Sequence, residues 1–84
     1  MAQVTVKLFA SLASYLPPGA RENAASLSCA EEVTIATLLE QLKVPKERCH
    51  LVLVNGIFVP PSQRQAKALA DGDTLSVWPP VAGG

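Results

Sequence analysis

Sulfur and imidazole are scarce in this chain of 84 residues, which has two cysteines, Cys29 and Cys49, and one histidine, His50. No CxxC spacing and no Cys/His ligand spacing occurs, and one histidine beside one cysteine cannot complete a tetrahedral metal site. A disulfide is arithmetically possible, but nothing in the sequence calls for secretion, so both thiols are read as structural. An excess charge of one sign is lacking too. Seven basic and seven acidic residues cancel, and no stretch concentrates Lys or Arg. Composition therefore offers no electrostatic case for nucleic acid or an anionic membrane as partner. No apolar run approaches the roughly 20 residues of a membrane span. Met1-Ala2-Gln3 leads into a strand pattern without the charged and apolar regions of a signal peptide, so the expected location is the cytoplasm. Catalytic constellations are missing as well: there is no phosphate-cradling glycine loop, no paired carboxylates in a recognisable context and no nucleophile–base arrangement. The domain is not expected to be a catalyst on its own.

What is present is an ordinary globular composition, 49% hydrophobic, on a length that suits one domain. Val4-Thr5-Val6-Lys7-Leu8 alternates as a strand, with Val4, Val6 and Leu8 inward and Thr5, Lys7 and Phe9 on the other face. Ala10 to Leu16 reads as a short helix stopped by Pro17-Pro18-Gly19. Ala24 to Cys29 reads as a weaker strand pairing back on the first. Thr34 is placed to cap a helix whose Ile35, Leu38, Leu39 and Leu42 recur at i, i+3, i+4, i+7. Leu51-Val52-Leu53-Val54 has the continuous apolar character of a strand buried on both faces. Asn55-Gly56 is a hairpin signal, and Ile57-Phe58-Val59 returns with Ile57 and Val59 inward and Phe58 outward. Ser62 to Lys67 reads as polar loop, Ala68 and Leu69 as a plug for the core, and Asp71-Gly72-Asp73 as a turn. Thr74 to Trp78 closes the order as a strand with Leu75 and Val77 on one face and Trp78 on the other.

Strands on both sides of one amphipathic helix make an α+β fold: a mixed sheet with the main helix packed across one face, the β-grasp or ubiquitin-like plan. The first and last strands are expected side by side and parallel in the middle. Residues 1–78 form the domain and 79–84 a flexible tail. Phe9, Phe58 and Trp78 come from three strands, and parity puts all three on the face the helix leaves open. There they would form an apolar patch of the size that marks partner surfaces. Beyond Trp78, Pro79-Pro80 ends ladder pairing and holds the chain extended, and Val81-Ala82-Gly83-Gly84 thins to a bare carboxylate.

These features resemble the molybdopterin synthase small subunit and the wider group of ubiquitin-like sulfur carriers that includes the thiamine-pathway carrier. The resemblance spans nearly the whole chain in element order. It is specific in Val6-Lys7-Leu8-Phe9-Ala10, in Asn55-Gly56, and from Ala70 to the Gly83-Gly84 terminus. It implies that an E1-like enzyme uses ATP to adenylate the Gly84 carboxylate and that a sulfurtransferase supplies the sulfur that makes a thiocarboxylate. The tail Pro79, Pro80, Val81, Ala82 and Gly83 then inserts into a large subunit, where the sulfur builds the molybdopterin dithiolene. On the same resemblance Phe9, Phe58 and Trp78 are the partner-binding residues, no cofactor or metal is bound by the chain itself, and ATP is used by the activating enzyme. Two features depart from the family: Trp78 stands where a phenylalanine is usual, and Pro60 to Lys67 is longer and richer in proline. Alternative destinations for the sulfur are thiamine, cysteine or a secondary metabolite. A ubiquitin-like modifier joined through Gly84 to lysines of other proteins and a plain interaction module are the competing readings.

Overall fold

Alternation of apolar and polar residues commits both ends of the chain to the same sheet. In the computed structural model, which describes residues 1–80, β1 (Ala2–Leu8) buries Ala2, Val4, Val6 and Leu8 on one side. β5 (Thr74–Trp78) buries Leu75 and Val77 on that same side. The two run parallel, with Val6 opposite Leu75 and Leu8 opposite Val77. β2 (Ala24–Cys29) is antiparallel to β1, and β3 (Leu51–Val54) is antiparallel to β5. β4 (Ile57–Phe58) lies beyond β3, so the sheet order is β2-β1-β5-β3-β4. This is the mixed β-grasp sheet that the order of elements predicts, with the first and last strands paired at its middle.

One helix, α1 (Ile35–Gln41), covers the sheet through Ile35, Leu38 and Leu39. Its first turn is capped as the sequence predicts, with Thr34 Oγ1 accepting the Thr37 amide at 3.2 Å. The short helix after β1 is a 3-10 helix, Ala10–Tyr15, and it contributes Leu12 to the core. It starts at Ala10, whose φ of 53° is a left-handed conformation that turns the chain sharply out of β1.

Three expectations need correction. β3 is not buried on both faces: Val52 and Val54 are buried, whereas Leu51 and Leu53 are only half-buried, since among the described residues nothing packs over that side of the sheet. Ile57 shares the helix side with Val54, its register partner, yet is 70% exposed, because β4 is the edge strand and α1 does not reach it. Val59 is buried as expected. Of the core plug, Leu69 is buried, but Ala68 is exposed and forms an isolated bridge with Thr34.

The segment from Ser62 to Lys67 is more than a polar loop. It begins in a 3-10 turn at Pro61–Gln63 and buries Arg64 to 8% exposure, the buried charged side chain of the core. The Arg64 guanidinium donates to three carbonyl oxygens, of Cys49 at 2.7 Å, His50 at 3.3 Å and Val59 at 3.3 Å. Backbone bonds from Ala36 to the Arg64 carbonyl and from Ile35 to the Lys67 carbonyl tie the same segment to α1. The planar five-donor cation thus fastens the start of β3 to the end of β4, while the backbone carbonyls of the same segment hold the first turn of the helix.

The Asn55-Gly56 turn has both residues left-handed, at φ 52° and 85°, as a two-residue hairpin requires. Asn55 also reaches sideways. Its Oδ1 accepts the Thr74 amide at 2.9 Å, and its Nδ2 donates to Asp73 at 2.9 Å. Asp73 in turn accepts the Ala70 amide at 2.8 Å, and Asp71 accepts the Gln3 amide at 2.7 Å. Both aspartates are therefore turn formers, as the sequence predicts.

Two stability predictions follow from these ties. Arg64→Ala should destabilise the fold by about 3 kcal/mol, since two buried carbonyls and one part-buried carbonyl lose a charged donor, and Arg64→Lys should recover only part of that in urea unfolding. The bonds from Ala70 and Asn55 hold the Asp73 carboxyl below its ordinary value of 3.8. A depressed carboxyl contributes stability that is full above its unfolded value and is lost as pH falls through the folded one. Asp73→Ala should therefore lose about 1 kcal/mol or less at neutral pH, because solvent screens the carboxyl, and its deficit against the parent should shrink below about pH 4.

Candidate functional site

The side of the sheet opposite α1 is open, and the strand registers fix what it displays. On its β1–β2 half the side chains are polar: Gln3, Thr5, Ser26 and Ser28, with the Gln3 amide bridging to Ser28 and Ser26. β5 continues the polar side with Thr74 and Ser76, and the apolar side chains are Trp78 at its end together with those of β3 and β4. Trp78 lies opposite Leu51, and Phe58 lies opposite Leu53. Phe9, the first residue beyond β1, stacks on Trp78 with ring centroids 4.4 Å apart and planes 6° from parallel. The Phe9 amide donates to the Val77 carbonyl at 3.1 Å, which continues the parallel pairing one step and brings the two rings into register.

All three aromatics that parity selected are therefore on the open face, but they are not equivalent. Phe9 and Trp78 shield one another and are half-buried, whereas Phe58 stands 52% exposed on the edge strand. Leu51 and Leu53 lie between them across β3 and join the stack to Phe58 as one apolar surface. Sequence reasoning missed these two leucines, because a continuous apolar run does not say which of its faces is covered. The signal that could have found them was the register from Asn55-Gly56, which places Leu53 opposite Phe58.

The site's position relative to the chain end is set by β5. Trp78 is its last residue, and Pro79 and Pro80 follow directly, half-buried and exposed respectively. The His50 amide donates to the Trp78 carbonyl at 2.9 Å, after which ladder pairing stops. The predicted roles of Val81, Ala82, Gly83 and Gly84 lie outside the described residues.

A groove of about 640 Å³ on the other side of the molecule is lined by Leu39, Val44, Pro45, Cys49, Pro61 and Arg64, among others. Burial pushes the Cys49 thiol up, with Arg64 nearby pulling it back, and the thiol donates to the Pro45 carbonyl at 3.5 Å. A protonated, hydrogen-bonded thiol is a packing element rather than a nucleophile. Cys29 is likewise buried and free. Among the described residues no cluster of His, Cys, Asp and Glu is placed to hold a metal ion, and no helix is long and apolar enough to cross a membrane. The chemistry on display is that of recognition: a flat apolar surface beside the point where the chain leaves the sheet.

Comparison with known proteins agrees with this geometry. The solution structure of the HVO 2177 protein of Haloferax volcanii is similar at TM-score 0.76 and 26% identity, over 99% of this chain and 87% of that one. The small archaeal modifier protein 1 of Methanosarcina acetivorans is similar at TM-score 0.65 and 27% identity, over 100% of this chain and 98% of that one. At 20% identity and TM-score 0.59, a chain of the complex of subunits 1 and 2 of the Helicobacter pylori molybdopterin-converting factor shares the fold, over 98% of this chain and 99% of that one. Among curated proteins none matches the sequence significantly. Residues 6–84 match the ThiS family. With this match over most of its length, its mixed sheet and its one covering α-helix among the described residues, the chain belongs to the ThiS family of ubiquitin-like sulfur carriers.

Proposed function

We propose that this protein carries sulfur on its own C-terminus as the small subunit of a molybdopterin synthase. The observation that carries this reading is the placement of Pro79-Pro80 directly after Trp78, at the margin of the only large apolar surface on the open sheet face among the described residues. A partner seated on Phe9, Trp78, Leu51, Leu53 and Phe58 would have the chain end delivered to a fixed point beside it.

The chemistry required at that end is plain. A terminal carboxylate is fully ionised at neutral pH and is a poor electrophile. Attack of its oxygen on the α-phosphorus of ATP, with loss of pyrophosphate, makes an acyl adenylate, and an E1-like enzyme supplies that step. A persulfide sulfur on a sulfurtransferase cysteine then attacks the acyl carbon and AMP leaves; a second thiol attacks the donor cysteine's sulfur in the acyl disulfide so formed, making a disulfide with it and releasing the thiocarboxylate. Gly83 and Ala82 keep the approach narrow, and Pro79-Pro80 reduce the entropy lost when the tail inserts. Support for a larger second subunit comes from the Helicobacter pylori relative of this fold, solved as a complex of subunits 1 and 2. No cofactor need be held by the chain, since ATP is consumed by the activating enzyme, and the cytoplasm is where these partners are expected.

A second reading, attachment of Gly84 to lysine amines, is favoured by the whole-chain likeness to an archaeal modifier at 27% identity. Both readings share the adenylate and differ in the nucleophile that displaces AMP.

Incubation with an activating enzyme, ATP and a sulfur source should raise the intact mass by the difference between one sulfur and one oxygen. Deleting Gly84 should abolish that gain and leave the thermal midpoint unchanged. No gain in the parent chain would overturn the carrier reading, and thiol-resistant conjugates on denaturing gels would establish the modifier. Trp78→Lys should weaken binding to the activating enzyme by about 2 kcal/mol or more, measured by calorimetry, because it removes half of the aromatic stack and buries a charge in its place.

A further inference from the structure

Formal neutrality conceals a separation of charge along the strands. The parallel pair β1 and β5 finishes at Phe9 and Trp78, and cations collect at that end. Lys7 is the one ionisable side chain among the strand residues on the open face, and it is exposed beside Ser76, one pleat below Phe9. Arg21 bridges to Ala24, the register partner of Lys7. Lys46 and Arg48 belong to the 3-10 turn Lys46–Arg48 that leads into β3, and Arg48 donates to Ser11 Oγ at 2.6 Å, two residues after Phe9. Glu22 and Glu47 are the acids beside these cations in sequence, and Glu40 shares a groove with Lys46 and Glu47. At the opposite end of the sheet the balance is reversed. Glu31 and Glu32 follow β2, and Asp71 and Asp73 precede β5, with Lys67 and the terminal amine of Met1 as their cationic neighbours.

The two ends are separated by the seven residues of β1, about 20 Å. That exceeds the Debye length of about 8 Å at physiological salt, so each end presents its own sign to an approaching molecule. Among the described residues the one ion pair is Met1–Glu31, which leaves Lys7 and Arg48 without a carboxylate partner.

We propose that the surface around the Phe9–Trp78 stack docks a protein whose apolar pocket is ringed by aspartate and glutamate, with Lys7 and Arg48 as the residues that set association rate and orientation. The inference rests on the docking role given to the stack under the proposed function and adds the electrostatic character of the partner. An apolar centre of two aromatic rings and two leucines needs a desolvated counterpart, which a protein pocket provides and a phosphate backbone does not. Cations at the margin of such a centre act on encounter more than on final affinity, because they stay hydrated in the complex. The acidic end faces away from the pocket and disfavours the reversed approach.

The test uses the full chain and an E1-like activating enzyme, with association followed by stopped flow and sulfur loading by intact mass. Raising salt from 50 to 500 mM should slow association of the parent chain by about tenfold or more. Lys7→Glu with Arg48→Glu should slow it by at least about tenfold at low salt and abolish or invert the salt dependence, while Lys7→Gln with Arg48→Gln should fall between. Glu31→Lys with Glu32→Lys, at the far end, should stay within about twofold of the parent. All these side chains are exposed, and circular dichroism checks that each variant folds. A parent chain that binds and loads normally, with rates indifferent to salt and to reversal of Lys7 and Arg48, overturns this inference and leaves the carrier reading intact. A parent chain that neither binds nor loads overturns both. Salt-dependent binding of the folded chain to a DNA duplex or to anionic vesicles, lost in the same variants, would also overturn it by assigning the cations to phosphate.

Discussion

The parallel pairing of β1 with β5 is the contact on which the remaining structure depends. It joins the first strand of the chain to the last, and its core residues Val4, Val6, Leu8, Leu75 and Val77 are among the most completely buried side chains. Backbone bonds close it at both ends, from the Thr5 amide to the Asp73 carbonyl at 2.9 Å and from the Phe9 amide to the Val77 carbonyl at 3.1 Å. β2 then has one free edge to join, and β3 the other. Pairs so distant in sequence close a long loop before any contact rewards it, and burial of apolar area on the helix side is what offsets that entropy. A register shift of one residue in this pair would exchange the two faces of the sheet and separate Phe9 from Trp78.

Much of this was legible in the residues. Period-two alternation at Val4-Val6-Leu8 and Leu75-Val77, the Thr34 cap, the helical spacing of Ile35, Leu38 and Leu39, and the Asn55-Gly56 turn each point to one local structure, and they agree with one another. What escaped was whatever depends on which neighbour is present. Leu51 and Leu53 read as core because apolar character does not reveal whether a second layer covers them. Ile57 has the parity of a core residue and the exposure of an edge residue. Arg64, a charged side chain in a polar stretch, reads as surface until the carbonyls of Cys49, His50 and Val59 are seen to converge on it. The charge separation escaped for the same reason, since residues 7, 21, 46 and 48 become neighbours only through the sheet.

The open face is protected from the hazards of its own exposure. β4, the edge next to Phe58, is two residues long and is cut off by Pro60-Pro61, so it offers almost no ladder to a stray strand. β2, the other edge, carries Ser26 and Ser28 on the open side, hydrogen-bonded to Gln3. The apolar half is thus confined between β4 and Phe9 and does not extend to a long free edge. The molecule can show aromatic rings to a partner while giving little purchase to edge-to-edge aggregation.

The Phe9–Trp78 stack has a further consequence, one of timing. Its two rings are 69 residues apart in sequence (9 to 78) and meet only when β1 and β5 have paired, which requires that the whole span between them has been made and folded. A nascent, truncated or unfolded chain can carry either aromatic, but it cannot present the pair. A surface of this kind certifies its own completion, so that a partner recognising the stack would at the same time inspect the fold.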